Sequence, residues 1–490
     1  MTTTEKPEAR QLGRAEITTI VIGLLTAMFP GALDSTIVAP AMPTIGRELG
    51  NAEHLPWIVT SYLLMSTAAT PLYGKLSDIH GRRIMLLIAI TIFAIGSLFC
   101  ALAPNMILLA IARGLQGLGG GGLVSLSITI IGDVVPMRER PRYQIYTSIR
   151  WTASSLAGPI LGGYFAEKYH WSLIFWINLP LCLLAFLMTD SKLRKLPRHE
   201  RPHSLDFAGA ALLVASSIVL QLAMTWGGSR YAWSSPEILG LIAISLVGTV
   251  LLIWRLLTAN EPLIPLALLS HRTLLTATTG VGLAMAVFIG LTIYLPVYFE
   301  NGLGFTATES GLSLLPMMLS TTVGAVAAGR LMMRIKRYRF IPITGLGTAA
   351  ICILPLFIWP TGLPVVLVEA LLGIASIGIG TVFPVSMISV QNAVPLHQLG
   401  TATSMVSFMR NFGSAFGVAI FGAIVIGGGA AIPGSSTGAI LTGDAFIAIF
   451  RWVFLASTIG LALSVLILSA MREIPVADRK QQHGADDTTH

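Results

Sequence analysis

The feature that most limits what this chain can fold into is a succession of apolar runs, each near the length of a bilayer-spanning helix. Such a helix needs about 20 mostly apolar residues. Fourteen candidates are read along the 490 residues, at 17–39, 56–77, 84–103, 106–132, 143–166, 172–189, 206–226, 236–257, 273–299, 310–333, 340–360, 363–390, 401–427 and 446–471. Mean hydropathy is +0.77. Charged residues make up 11% of the chain, where soluble domains carry about 25%. Those figures exclude a soluble enzyme, a nucleic-acid-binding domain and a disordered chain. A transmembrane barrel is excluded as well, because its strands are alternating segments of about ten residues. The expectation is an all-α polytopic membrane protein with the lipid bilayer as its solvent.

The charges are few but unevenly placed. Net charge is +8, and the basic residues lie between the apolar runs. An even number of spans puts both termini on one side. With the N-terminus cytoplasmic, that side takes 23 of the Lys and Arg residues, including Lys75, Arg82, Arg83, Arg138, Arg140, Arg142 and a basic loop over 191–205; the other side takes three, Arg47, Lys168 and Arg230. Cytoplasmic loops collect Lys and Arg, so cytoplasmic termini in a cell inner membrane are expected. The polar start, Met1 to Glu16, runs into a long span without a short apolar segment and small-residue cleavage site, so no cleaved signal peptide is expected. Cys100, Cys182 and Cys352 each sit inside an apolar run with no paired spacing and read as small core residues.

Two stretches about 255–260 residues apart resemble each other. Gly74-Lys75-Leu76 matches Gly329-Arg330-Leu331, and Val135-Pro136 matches Val394-Pro395. In that register Asp133 falls opposite Asn392, Gly114 and Gly119 opposite Gly373 and Gly378, and one residue of slack sets Arg150 opposite Arg410. Parallel repeats of this kind are a transporter architecture, with the binding site between the halves. The offset exceeds the length of six spans by enough for two more. The predicted organisation is a tail at 1–16, a six-helix bundle at 17–190, a basic loop and two inserted helices at 191–260, a second six-helix bundle at 261–472 and a tail at 473–490. The acidic residues Asp78 and Asp133 belong to the first half only; Met333 and Asn392 hold the corresponding places. Ion coupling is therefore expected in the first half.

Several residues stand out against their apolar surroundings. Asp34 lies well inside the first span, and a carboxylate there is costly enough that it faces a cavity, pairs or takes a proton. Burial opposes its ionisation while a nearby cation favours it. A hydrogen bond tying two helices is the structural alternative. Arg113 is deep in the fourth span and stays charged, so it needs a partner or water. Asp34 is one candidate partner, and backbone carbonyls are another. Asp78 and Arg82 are four apart, a spacing that permits an ion pair. Gly158 and Gly162, also four apart, permit close helix packing, and Pro159 removes a backbone donor. Glu369 lies just inside an outer span end as a secondary proton or cation candidate. Tyr62, Phe288, Tyr294 and Met317 are candidate cavity-lining residues, or interfacial anchors and packing. The glycines at 119–122 lack GxxxxGK[ST] and lie in an apolar helix, so they are no phosphate loop. No cofactor and no metal are expected.

The residues Gly74-Lys75-Leu76-Ser77-Asp78-Ile79-His80-Gly81-Arg82-Arg83 are similar to the GxLaDrxGrk motif of the major facilitator superfamily. Arg113 to Gly117 resemble its fourth-span RxxqG, and Gly158-Pro159-Ile160-Leu161-Gly162-Gly163 its fifth-span antiporter motif GPxxGG. Leu33 to Val38 with Pro40 and Pro43, Trp171 to Pro180 and Gln398 to Arg410 resemble the fourteen-helix drug:proton antiporter subfamily. The resemblance runs from about residue 17 to 471. It implies a major facilitator fold of two six-helix bundles plus two extra helices, not an enzyme. It implies a proton-relay role for Arg113 close to the first span. It implies a cytoplasmic gate of Gly74, Asp78, Gly81, Arg82, Arg83 and Asp133, latched to the start of the thirteenth span near Leu399. For the GPxxGG residues it implies a leak-limiting role. The expected function is proton-coupled export of amphipathic small molecules, cationic drugs among them, by a monomer working through alternating access. A dedicated exporter of one lipid or metabolite is the alternative. An intramembrane enzyme or a channel fits less well, because no nucleophile–base pair or metal cluster is visible.

Overall fold

The computed structural model describes residues 14–50, 55–136, 139–193, 206–227, 231–259, 262, 268, 271–335, 337–395, 398–427 and 443–473. The two predicted tails and most of the predicted 191–205 loop lie outside these, as does the side chain of Pro159. Long helices account for the described chain, and no strand occurs among the described residues. In order they are α1 (Arg14–Leu49), α2 (Leu55–His80), α3 (Arg82–Ala101), α4 (Met106–Val134), α5 (Arg140–Lys168), α6 (Asn178–Leu193), α7 (Phe207–Trp226), α8 (Pro236–Thr258), α9 (Arg272–Val297), α10 (Leu315–Met332), α11 (Phe340–Ile358), α12 (Val365–Ala393), α13 (Leu399–Gly427) and α14 (Asp444–Ser469). One-turn pieces at Leu173–Trp176 and Ala307–Ser313 lead into α6 and α10, and a π-turn over Tyr298–Gly302 ends α9.

Local chemistry sets the ends. Asn105 caps α4 by accepting from the Leu108 amide at 2.9 Å, and Asp206 caps α7 through the Gly209 amide at 3.0 Å. Ser235 caps α8, with Pro236 in its first turn. Such oxygens satisfy amides that a helix start leaves unpaired. Gly81 has φ +92° between α2 and α3. That left-handed backbone favours glycine, which is why the basic loop turns there. α1 continues about ten residues past its predicted end, because the prolines at 40 and 43 do not stop it. Proline is tolerated in membrane helices whose neighbours re-satisfy the freed groups.

Twelve of the described helices are both long and apolar enough to cross a membrane. α2 and α5 have the length, 26 and 29 residues, but carry more polar residues. Outward faces are apolar and bare, as at Ile111, Leu183, Leu246, Ile351 and Leu466. A surface of that kind suits hydrocarbon rather than water.

Helix pairing repeats. In the first set α2 and α3 pack on α4, α5 and α6 on α1, and α3 on α6. In the second α10 and α11 pack on α12, α13 and α14 on α9, and α11 on α14. Each pair recurs eight helices later. Between the sets, α2 crosses α13 and α5 crosses α10. α7 and α8 pack on one another, and α7 also touches both α2 and α13. Of the two, α8 is the more bare: only Ile238, Ser245, Leu252 and Leu256 along it are buried.

Candidate functional site

Two clusters of charge are built into the first set of helices. The deeper one is centred on Asp34 of α1, which is 0% exposed, and Arg113 of α4, 2% exposed. Arg113 Nη1 donates to Asp34 Oδ2 at 2.5 Å. Its Nε donates to the Ile58 carbonyl of α2 at 2.9 Å, and Nη1 also reaches Gln116 Oε1. Gln116 Nε2 donates to Asp34 Oδ1 at 2.9 Å and to Ser97 Oγ of α3 at 2.8 Å. Asn178 Nδ2, at the start of α6, reaches Asp34 Oδ1 at 3.2 Å. The Tyr62 ring of α2 stacks over the guanidinium, 4.4 Å from its centroid to Cζ. Residues of five helices, α1, α2, α3, α4 and α6, thus form one cluster.

This arrangement has a clear electrostatic logic. Two buried charges repay their desolvation only when paired and well hydrogen-bonded, and here the pair is flanked by bonds from Gln116, from Asn178 and to the Ile58 carbonyl. Neutralising the carboxylate would leave a buried guanidinium with amide and carbonyl partners only. The pair therefore depends on each partner keeping its charge.

Of the predicted deep-site residues, the structure brings Asp34, Arg113 and Tyr62 together. Tyr62 lies on the arginine rather than on open space. Glu369 is elsewhere, part-exposed near the start of α12, and shares no hydrogen bond or ion pair with the cluster. Phe288, Tyr294 and Met317 are buried in the packing of the second set. Sequence reasoning did not single out Ser97 or Asn178, and noted Gln116 only inside a motif. They are neutral polar residues in helices, and only their shared depth on α3, α4 and α6 signals a common target.

The second cluster sits at the basic end, where α2, α3 and α4 meet α13. Arg82 Nε donates to Asp133 Oδ2 at 2.8 Å, and its Nη1 pairs with Asp78 and donates to Ser77 Oγ. Asp78 Oδ2 accepts from the Thr401 amide at 3.1 Å and hydroxyl at 2.9 Å, at the first turn of α13. A helix N-terminus favours an anion there. Gly74 permits the crossing: a Cβ on it would fall 2.7 Å from Ser404 Cβ and 2.8 Å from the Gly400 carbonyl. Arg83 pairs with Asp190 of α6. Gly81 faces open space and serves the turn. A second tie runs in parallel: Arg140 Nη1 donates to Asn392 Oδ1 of α12 at 2.9 Å, and Gln391 Nε2 to the Ile128 carbonyl at 3.3 Å. Sequence reading placed Asn392 opposite Asp133 as a missing charge; its amide oxygen is the acceptor in this tie.

The GPxxGG segment lies where α5 crosses α1. A Cβ on Gly158 would meet Thr36 Cβ at 2.8 Å, and one on Gly162 the Ile37 carbonyl carbon at 3.0 Å, whereas Gly163 meets nothing within 4 Å. The same crossing recurs 255 residues on, with Gly413 and Gly417 of α13 against Gly282 and Ala286 of α9.

Residues 24–418 match the Major Facilitator Superfamily. The chain belongs to that superfamily. Its relatives include the "Multidrug transporter protein MdtP" of Bacillus subtilis (strain 168), 34% identical over 83% of this chain and 75% of the relative. "Multidrug resistance protein 3" of the same organism is 32% identical over 83% of this chain and 79% of its own length. An uncharacterised superfamily transporter of Mycobacterium tuberculosis (strain ATCC 25618 / H37Rv) is 34% identical, and the match spans 84% of this chain but 59% of that protein. Among solved structures, the human organic anion transporter MFSD10 (TETRAN) aligns with a TM-score of 0.66 at 16% identity over 92% of this chain and 99% of the other. A bacterial homologue of the iron transporter ferroportin in its outward-facing state aligns at 0.65 and 13% identity over 93% and 98%. Both likenesses show the fold alone. This superfamily member is a multi-pass membrane transporter, not an enzyme.

Proposed function

We propose that this transporter is a proton-coupled antiporter that exports amphipathic small molecules by alternating access, of the fourteen-helix drug:proton type. The observation that carries the reading is the buried Asp34–Arg113 pair with its closed shell of Gln116, Asn178 and Tyr62. An ionisable pair inside a membrane span is costly to keep, and such residues mark ion and substrate pathways. The multidrug names of the relatives support an export direction and a broad cargo. Asp34 then serves as the proton site and Arg113 as the residue that answers its charge, with Glu369 a secondary contact. α2 and α5 complete fourteen spans, since their polar faces meet other helices rather than lipid. The two bundles at 17–190 and 261–472 rock about the cavity between them, a single chain sufficing.

The ties of Asp78 to Thr401 and of Arg140 to Asn392 join the bundles at the basic end. With termini on the cytoplasmic side, as the Lys/Arg census argues, that end is the inner gate, and its closure corresponds to an outward-facing state. GPxxGG keeps α5 tight on α1 so that the bundle moves as a body.

Inverted membrane vesicles test the reading. An imposed proton gradient should drive uptake of a lipophilic dye such as ethidium, and Asp34→Asn should abolish the gradient-driven part. Full gradient-driven transport by folded Asp34→Asn protein would overturn it.

A further inference from the structure

Two part-buried arginines stand apart from both clusters, and nothing in the mechanism above uses them. Arg150 is the eleventh residue of α5 and Arg410 the twelfth of α13. At about 1.5 Å per residue each lies roughly 15 Å from the basic end, near the middle of a hydrocarbon core about 30 Å thick. Counted from the helix starts they lie at similar depth, one in each half. Both helices border the other bundle, α5 against α10 and α13 against α2. Substrate sites of transporters with such repeats lie at that depth, between the halves.

Their hydrogen bonding is unlike that of Arg113. A guanidinium carries about five N–H donors and no acceptor. Arg113 spends its donors on a carboxylate, an amide oxygen and a carbonyl. Arg150 makes one bond, Nη1 to the Met28 carbonyl at 2.8 Å, and its buried Nε has no partner. Arg410 rests on the Phe383 ring, 5.4 Å from Cζ to centroid, and its buried Nε is also unpartnered. No carboxylate pairs with either among the described residues. A guanidinium in a low-dielectric place without a paired anion is an unfavourable arrangement. Each side chain keeps part of its surface open, so a ligand can supply what the protein does not. Beside Arg410 the surroundings are aromatic: Phe288 meets Phe383 edge-on at 6.3 Å.

We propose that Arg150 and Arg410 hold the anionic group of the cargo, so that this exporter takes amphipathic organic anions with an aromatic or apolar body seated toward Phe383. This rests on the export reading above and reverses the cationic cargo that the resemblance implies. Planar guanidiniums bind carboxylate, sulfonate and phosphate groups through paired N–H bonds.

The test uses the full chain in phosphatidylcholine nanodiscs and three probes that share one ring system: 9-anthracenecarboxylate, 9-anthracenemethanol and 9-anthracenemethylammonium. Calorimetry should show the carboxylate binding roughly tenfold or more tightly than the other two. Arg150→Gln and Arg410→Gln should each bring the carboxylate down to the affinity of the alcohol, with Arg→Lys retaining part of the preference. A footprint on the unaltered protein stands independently of how the variants fold: the carboxylate should shield Arg150 and Arg410 from phenylglyoxal, and the ammonium should not. Added phosphatidylglycerol that displaces the carboxylate identifies a lipid headgroup as the natural anion, and failure to displace it identifies a soluble one; either supports the site. Tightest binding of the ammonium, a carboxylate preference that survives in both folded Gln variants, or absence of shielding would overturn it. Carboxylate selectivity that persists in Asp34→Asn separates this site from the proton reading, which fails or stands on transport alone.

Discussion

Asp34 and Arg113 meet at 2.5 Å with 0% and 2% of their surfaces exposed, and every other polar contact of the deep site serves that meeting. The carboxylate takes bonds from α4 and α6, and the guanidinium from α4 holds α1 and the α2 backbone together. The pair is therefore a fastening among α1, α2, α4 and α6.

The neutral members of the shell should matter for stability as much as the charges do. Gln116→Leu keeps the volume but leaves Asp34 and Ser97 each short of a partner, at about 1–3 kcal/mol per orphaned buried group. The thermal unfolding midpoint in detergent should fall clearly. An unchanged midpoint would mean that water replaces Gln116 at no cost.

The glycines of the α5–α1 crossing should divide sharply. Gly162→Ala pushes a methyl against the Ile37 backbone, where overpacking costs about 1–3 kcal/mol. Gly163→Ala meets open space and should leave the unfolding midpoint unchanged. Gly417→Ala should repeat the loss at the α13–α9 crossing. Equal effects of Gly162→Ala and Gly163→Ala would contradict the close-approach argument.

Much of this was legible in the sequence, and the reasons differ by residue. Asp34, Arg113, Asp78 and Arg82 are charges where hydrocarbon should be, so they declare themselves. Span positions follow from apolar length. α2 and α5 show the limit of that signal, because a helix that faces other helices tolerates polar residues that lipid would not. Ser97 and Asn178 carry no charge and no periodicity, so only three-dimensional convergence reveals them. Gly413 and Gly417 lack the proline that makes GPxxGG recognisable, although their crossing is the same. Tyr62 is legible as a candidate cavity-lining aromatic or interfacial anchor but not as the lid of Arg113, since its partner is 51 residues away in sequence.

The latch at the basic end should respond to loss of a single charge. Asp78→Asn weakens both the Arg82 pair and the bonds from Thr401. Spin labels at exposed His80 and Met333, read by pulsed dipolar spectroscopy, should show a longer and broader distance distribution than in the unaltered protein. Arg140→Gln, which removes the tie to Asn392, should shift it the same way, and the two together further. An identical distribution in all three variants would show that these contacts do not hold the end shut.

The central claim is that a proton and the cargo compete through Asp34. Proton release from purified transporter on adding a cargo such as ethidium or 9-anthracenecarboxylate, followed with a pH indicator in weakly buffered detergent solution, tests it most directly. The account predicts release from the unaltered protein and none from folded Asp34→Asn that still binds the cargo. Equal release from both would contradict it.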